Sequence, residues 1–243
     1  MKVLKLSSSF FLISLITACG GGGNAGTSNS PAATSYNFVI PPPNSQRIYS
    51  STIIDNSANT INLTYTDTVE AINTDGTYSA LTQDPGNNSI TVNGTTYSIH
   101  TEISTINNAG QVLSFVDQTA QITCTYSPSS AGAPYPVTVG ENWTLNVSES
   151  CGSNAPVNFA QTGTVVDVES VTVPAGTFNA LKLQSTINFT NAAGTITNEA
   201  ITNWREVNTG ISVKQEVAFT HSGTPLTNGY AVTKTIELQS GTL

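Results

Sequence analysis

The stretch FNALKLQSTINFT, residues 178–190, decides the fold. Leu181, Leu183, Ile187 and Phe189 are separated by Lys182, Gln184, Thr186 and Asn188. A period of two puts the apolar set on one face of a strand and the polar set on the other, which a helix of 3.6 residues per turn cannot do. The pattern recurs in both directions along the chain. Thr60 to Ile72 alternates Ile61, Leu63 and Tyr65 with Asn62, Thr64 and Thr66; Trp143, Leu145 and Val147 share a face; Asn158 to Val173 reads as one long strand. Turn signals punctuate these runs: Asp75-Gly76, Asn93-Gly94, Pro174-Ala175-Gly176, Asn191 to Gly194, and HSGTPLTNG at 221–229. Asn-Gly suits the positive backbone angles of a two-residue hairpin turn, so Ser89–Val92 and Thr95–Ser104 are predicted to pair.

About a dozen strands result, and no long stretch has helical periodicity. Short connections make neighbouring strands antiparallel, since a parallel crossover needs a dozen or more residues. One face of each strand is buried and the other wet. A long one-faced sheet must curl, split or close. The expectation is an all-β domain over 44–243: a curved antiparallel sheet forming a half-barrel or open barrel. The Pro-rich run SPSSAGAPYPVTVGEN, residues 127–142, marks either a sub-division or a long connection. Trp143 is in phase with Leu145, and Trp204 with Ala200. Core packing is the default for both. If the sheet stays open, Trp143, Leu145, Phe178, Leu183 and Trp204 would line its apolar pocket.

The segments VTVPAGTF (171–178), ALKL (180–183), Trp204 and GISVK (210–214) resemble a group of bacterial envelope lipoproteins that pair a V-P-A-G-T-F hairpin with a W…G-x-x-x-K hairpin. The resemblance covers about residues 137–220. It implies an architecture similar to the half-barrels of LolA-like lipid carriers, and it brings no settled activity.

The N-terminus addresses location. Lys2 and Lys5 precede an apolar run from Phe10 to Ile16, then Thr17-Ala18-Cys19. That run is too short to span a bilayer, which takes about 20 apolar residues, and it has the layout of a signal peptide. Leu15 to Cys19 resembles the lipobox of bacterial lipoproteins. The resemblance implies removal of residues 1–18, attachment of acyl chains, palmitate among them, to Cys19, and, with Gly20 rather than Asp next, sorting to the outer membrane. The Gly-, Ser-, Asn- and Pro-rich residues up to Pro43 are expected to be a flexible tether. The partner expected from the N-terminus is thus the membrane itself, through the acyl chains.

The whole chain has 15 acidic and 7 basic residues, two of the latter being Lys2 and Lys5 in the signal. So acidic a chain excludes nucleic acid as a partner, which would require clustered Lys and Arg. Cys124 and Cys151 remain after Cys19, and an exported protein meets an oxidising compartment, so they are expected to form a disulfide.

Catalytic chemistry finds little support. His100 alternates opposite Tyr97 and Ile99 and reads as outward-facing beside Glu102; His221 sits at a strand end. Neither a G-x-S-x-G elbow nor an H-E-x-x-H motif occurs. Asp167 and Glu169 share one face of the long strand, about 7 Å apart, which reads as its wet side. The run Asp55 to Asn59 begins like a calcium loop but lacks the glycine and the bidentate acid at the later positions, so an Asx-capped turn is expected. No catalytic residue, metal site or cofactor is therefore expected. The functional expectation is a lipid-anchored, non-enzymatic envelope protein that binds an apolar or amphipathic ligand or acts as an accessory envelope factor, with a lipid-like molecule or an envelope protein as its partner. The alternative is a surface-exposed adhesive or structural interaction domain acting through its exposed Thr/Asn strands and edge.

Overall fold

The computed structural model describes residues 34–86, 88–92, 95–129, 133, 135–190, 195–223 and 230–243. The signal, the lipobox, and the Asn93-Gly94 and Asn191–Gly194 turns lie outside these residues, as does most of the 221–229 turn. The described residues form sixteen strands: β1 Ser35–Tyr36, β2 Gln46–Asp55, β3 Thr60–Ile72, β4 Tyr78–Gln83, β5 Ser89–Val92, β6 Thr95–Ser98, β7 Glu102–Ile106, β8 Val112–Asp117, β9 Ile122–Ser127, β10 Val137–Thr138, β11 Asn142–Cys151, β12 Val157–Val173, β13 Gly176–Thr190, β14 Ile196–Glu206, β15 Ser212–Ser222 and β16 Ala231–Gly241.

Twelve of them close into a barrel in the order β11-β12-β13-β14-β15-β16-β2-β3-β4-β7-β8-β9. This corrects the expected half-barrel or open sheet. The ring is completed where β9 pairs with β11, from Ser127↔Ser148 to Cys124↔Cys151. Closure satisfies the N–H and C=O groups that an open sheet leaves bare along two edges. Alternation along one strand is the same in an open and a closed sheet, so the sequence pattern could not distinguish them. The Pro-rich run between these two strands is a long connection that carries β10. Cys124 and Cys151 form a disulfide at the closing pair.

Twelve strands enclose more space than the eight whose side chains just fill a barrel, and added structure packs against each end. At the lower end, where β2 begins and β14 ends, β1 pairs with β10. The Phe38 ring stacks on Tyr78 with centroids 6.2 Å apart and meets Tyr135 at 6.1 Å. Val39 N donates to Thr209 O. Gly210, at φ 73°, takes a left-handed conformation beside Phe38 and Tyr135, where a Cβ would come within 3.0 and 3.2 Å of their rings. Residues 35–43, part of the stretch expected to be tether, are thus in contact with the barrel. At the upper end, the β5–β6 hairpin is an excursion between the paired strands β4 and β7. Its Tyr97 is fully buried against Ile53, Ile61, Leu63 and Ala231. The predicted single strand Thr95–Ser104 is therefore two strands, broken at Ile99–Thr101.

The β12–β13 ribbon runs past the end of β14, and Ala175 N donates to Leu238 O on β16. Its Val171, Val173 and Phe178 join a buried cluster with Tyr49, Trp204, Val213 and Leu238. Asp55 caps its turn, as expected, accepting from Ser57 N at 2.9 Å and Asn59 N at 2.8 Å.

Candidate functional site

Side chains directly opposite each other in neighbouring strands share a face, so the ladder registers show what points into the barrel. In the lower half, the inward residues include Trp143, Leu145, Val165, Leu181, Leu183, Tyr49, Tyr65, Val69, Tyr78, Val213 and Leu238, all buried. The upper half carries several ionisable side chains on its inner face. Glu102 lies opposite Asp117, Glu149 opposite Tyr126, Glu199 opposite Ile187 and Phe219, and Lys234 opposite Val217 and Ile53. All four ionisable side chains therefore point inward, yet each is only half-buried. So are the inward Phe189, Ile201 and Phe219. Solvent reaches a lining that is part apolar and part charged.

The charges fall into two groups. On one wall, Glu102 has the Asp117 and Glu149 carboxylates as neighbours, and burial followed by these two charges pushes its pKa up to about 7. Tyr126 OH donates to Glu149 Oε1 at 3.0 Å; burial raises this acid too, and the phenol opposes the rise. Asp117 is held by Thr119 N and Ala120 N and pairs with His100 Nδ1 at 3.0 Å. On the opposite wall, burial raises Glu199 and lowers Lys234, and each charge opposes the other's shift. With its pKa near 7, the Glu102 carboxyl can both donate and accept around neutral pH, which suits recognition of an amine or hydroxyl head group. The atoms of Cys124, Glu149 and Cys151 lie within 4.8 Å of one another, but the disulfide consumes both thiolates a metal would need.

Glu102 gives a pH prediction. Its folded pKa is raised, so the stabilisation linked to its protonated form is complete below about pH 4.5 and is lost as pH rises through about 7. The expected result is that Glu102→Gln, compared with the parent chain by urea denaturation, gains about 1–2 kcal/mol at pH 8 and little at pH 5, after allowance for the group's contact with solvent. Equal differences at the two pH values would refute the burial described here.

The five residues expected to line an apolar pocket do not meet in one place. Trp143, Leu145 and Leu183 pack within one core cluster. Phe178 and Trp204 belong to the cluster joined by the β12–β13 ribbon. Trp204 lies opposite Lys182 and Lys214 on the outer side of the wall. It is covered there by the two ammonium groups, 5.6 and 5.3 Å from its ring, and its Nε1 donates to Glu169 Oε1 at 2.6 Å. Glu169 also pairs with Lys182 at 3.2 Å, so this carboxylate serves the wet face, as expected. His100 is not outward-facing: it sits at the β6–β7 break, turned to Asp117. His221 bonds to Thr197 Oγ1 and Ala231 O and stacks on Phe219. Glu102 was missed because the predicted continuous strand hid the change of phase at Ile99–Thr101.

A closed antiparallel barrel, packed at one end and charged inside the other, defines the architecture. The chain matches the DUF3108-like family over residues 50–224 and belongs to that family. No curated protein matches it. Among solved structures it is similar to a Bacteroides fragilis protein described as exported and as having a YmcC-like fold (13% identity, 86% of this chain and 100% of that one, TM-score 0.49). It is also similar to a Parabacteroides distasonis protein described as a lipoprotein (12%, 86% and 99%, TM-score 0.45). A third is the hypothetical lipoprotein YmcC of Escherichia coli K12 (12%, 82% and 89%, TM-score 0.41).

Proposed function

We propose that this protein is a lipid-anchored bacterial envelope protein, acylated at Cys19 and sorted to the outer membrane, that acts by binding rather than catalysis. Its ligand is amphipathic and occupies the upper interior. The apolar part lies against Phe189, Ile201 and Phe219, and the polar head faces Glu102 and Glu149 or the Glu199–Lys234 pair. The observation that carries this reading is the contrast between the two halves of the barrel. The inward residues named for the lower half are all buried, while the upper half sets half-buried Glu102, Glu149, Glu199, Lys234, Phe189, Ile201 and Phe219 among buried neighbours such as Asp117, Ile187 and Val217. The lipobox-like Leu15–Cys19 supports the anchor, since two or more acyl chains hold a protein stably at a membrane.

One preparation tests both parts. Membranes from expressing cells should retain the parent chain, while a Cys19→Ser chain appears in the soluble fraction. Native mass spectrometry of the gently extracted parent should show a bound mass that a Phe219→Asp, Ile201→Asp chain lacks. Retention of the Cys19→Ser chain at the membrane would refute the anchor. A ligand-free parent, or an unchanged bound mass in the double variant, would refute the binding site.

A further inference from the structure

Among the described residues, five buried side-chain polar atoms make no hydrogen bond of good geometry: Ser45 Oγ, Arg47 Nη1, Tyr135 OH, Trp143 Nε1 and Gln161 Oε1. The Tyr135 oxygen is turned to the Arg205 guanidinium, which opposes the rise that burial imposes on it, so its unmatched part is the O–H proton. The first four carry protons, and all four stand at the lower end of the barrel, opposite the site described above. Ser45 and Arg47 flank the start of β2, Tyr135 precedes β10, and Trp143 begins β11 in the same core cluster as Tyr135. What this end lacks is an acceptor. Buried donors without partners are costly, at about 1–3 kcal/mol each and more for a charged group, so an unmatched group of them points to a ligand.

Arg47 is 2% exposed. Its Nε and Nη2 both donate to Asp67 Oδ2, at 3.1 and 2.7 Å, which engages one edge of the guanidinium and leaves Nη1 free. A second buried guanidinium is close. Tyr49, in phase with Arg47 on β2, donates its OH to Ser212 O at 3.0 Å, and Ser212 lies opposite Arg205 in the ladder. The two arginines thus flank Tyr49. Burial raises the Tyr49 and Tyr78 hydroxyls, and both arginine charges oppose that rise at both tyrosines. Arg205 donates to Gly210 O at 3.3 Å, and its Cζ lies 6.0 Å from the centre of the Tyr135 ring. The adjacent acid, Glu206, is committed to the β14–β15 turn, where it accepts from Asn208 N, Asn208 Nδ2, Thr209 N and Thr209 Oγ1. Asp67 and Glu206 supply negative charge at this end, but Asp67 takes only the Nε and Nη2 edge of Arg47 and Glu206 bonds to its own turn, so Arg47 Nη1 is left without an acceptor.

We infer that the lower end of the barrel is an oxyanion site: one carboxylate or phosphate group binds between Arg47 Nη1 and the Arg205 guanidinium, with Tyr135 OH as a further donor. Guanidinium groups are suited to both anions through directed, charge-assisted N–H donors. Phe38 and the β1–β10 pair lie over this end, so the anion is held beneath them.

The test is calorimetric titration of the full anchored chain in detergent, with sodium phosphate and separately with sodium acetate at constant ionic strength. The expected result is saturable one-to-one binding of at least one anion, weakened tenfold or more in Arg205→Gln and in Tyr135→Phe. Tyr135→Phe removes a single oxygen and keeps the ring, and anion-free melting curves for each variant identify any loss of fold. Phosphate binding alone assigns a phosphoryl ligand; acetate binding alone assigns a carboxylate. Binding of neither anion, or equal binding in both folded variants, overturns the proposal and leaves the donors to water.

Discussion

Trp143→Ala is expected to lower the unfolding free energy by about 3–5 kcal/mol, the usual range for deleting a large aromatic from a core. Trp143 is 5% exposed and lies directly across the ladder from Gly163. The indole ring covers that glycine so closely that a Cβ at 163 would overlap its six-membered ring. Glycine weakens a strand by losing backbone entropy and offering nothing to pack, so its presence mid-strand on β12 is explained by the tryptophan. Gly163→Ala should accordingly destabilise by about 1–3 kcal/mol through overpacking. In the Trp143→Ala background the same change should be nearly neutral, because contacting residues do not act additively. Urea denaturation of the two single variants and the double variant measures the coupling. Additive losses would refute the packing described.

Replacing both Cys124 and Cys151 by serine is expected to remove about 3.5 kcal/mol. Their sequence separation is 27, and cross-linking a loop of that length restricts the unfolded chain by roughly this amount. For a chain of this size the change corresponds to a fall in Tm of roughly 7–14 °C. The position of the bond gives a second, local readout. The β9–β11 seam has four ladder pairs, against eleven between β13 and β14. Hydrogen exchange in the serine variant should therefore rise first in β9 and β11, before the rest of the barrel opens. Uniform exchange across all strands would mean that the disulfide does not guard the seam.

The local structure was legible in the sequence to a useful extent. Thr60–Ile72 matches its strand at both ends, and Leu181, Leu183 and Ile187 are buried as their alternation requires. The cysteine pair was readable from compartment chemistry alone. Closure was not, because whether β9 meets β11 depends on pairing across a long proline-containing connection and leaves no trace in the period of either strand. Trp204 shows a different limit. Its phase with Ala200 was correct, but that phase is the outer one, and burial comes from Lys182 and Lys214, whose stems and charges cover the ring. Glu102 was hidden by a three-residue break that shifts its phase. The arginine end was hidden for another reason: Arg47 and Arg205 are 158 positions apart, and the ring brings them to either side of one tyrosine.

The strand at Ser35 and Tyr36 has a consequence for orientation. With an acyl group on Cys19, fifteen residues, Gly20 to Thr34, separate the headgroup layer from the first fixed position. Fully extended, they reach on the order of 50 Å, little more than the thickness of one bilayer. If Cys19 is acylated as proposed, the chain reaches the barrel at the arginine end, and a barrel held close to the membrane by that end would turn Arg47 and Arg205 toward the lipid surface and the glutamates toward the aqueous space beyond.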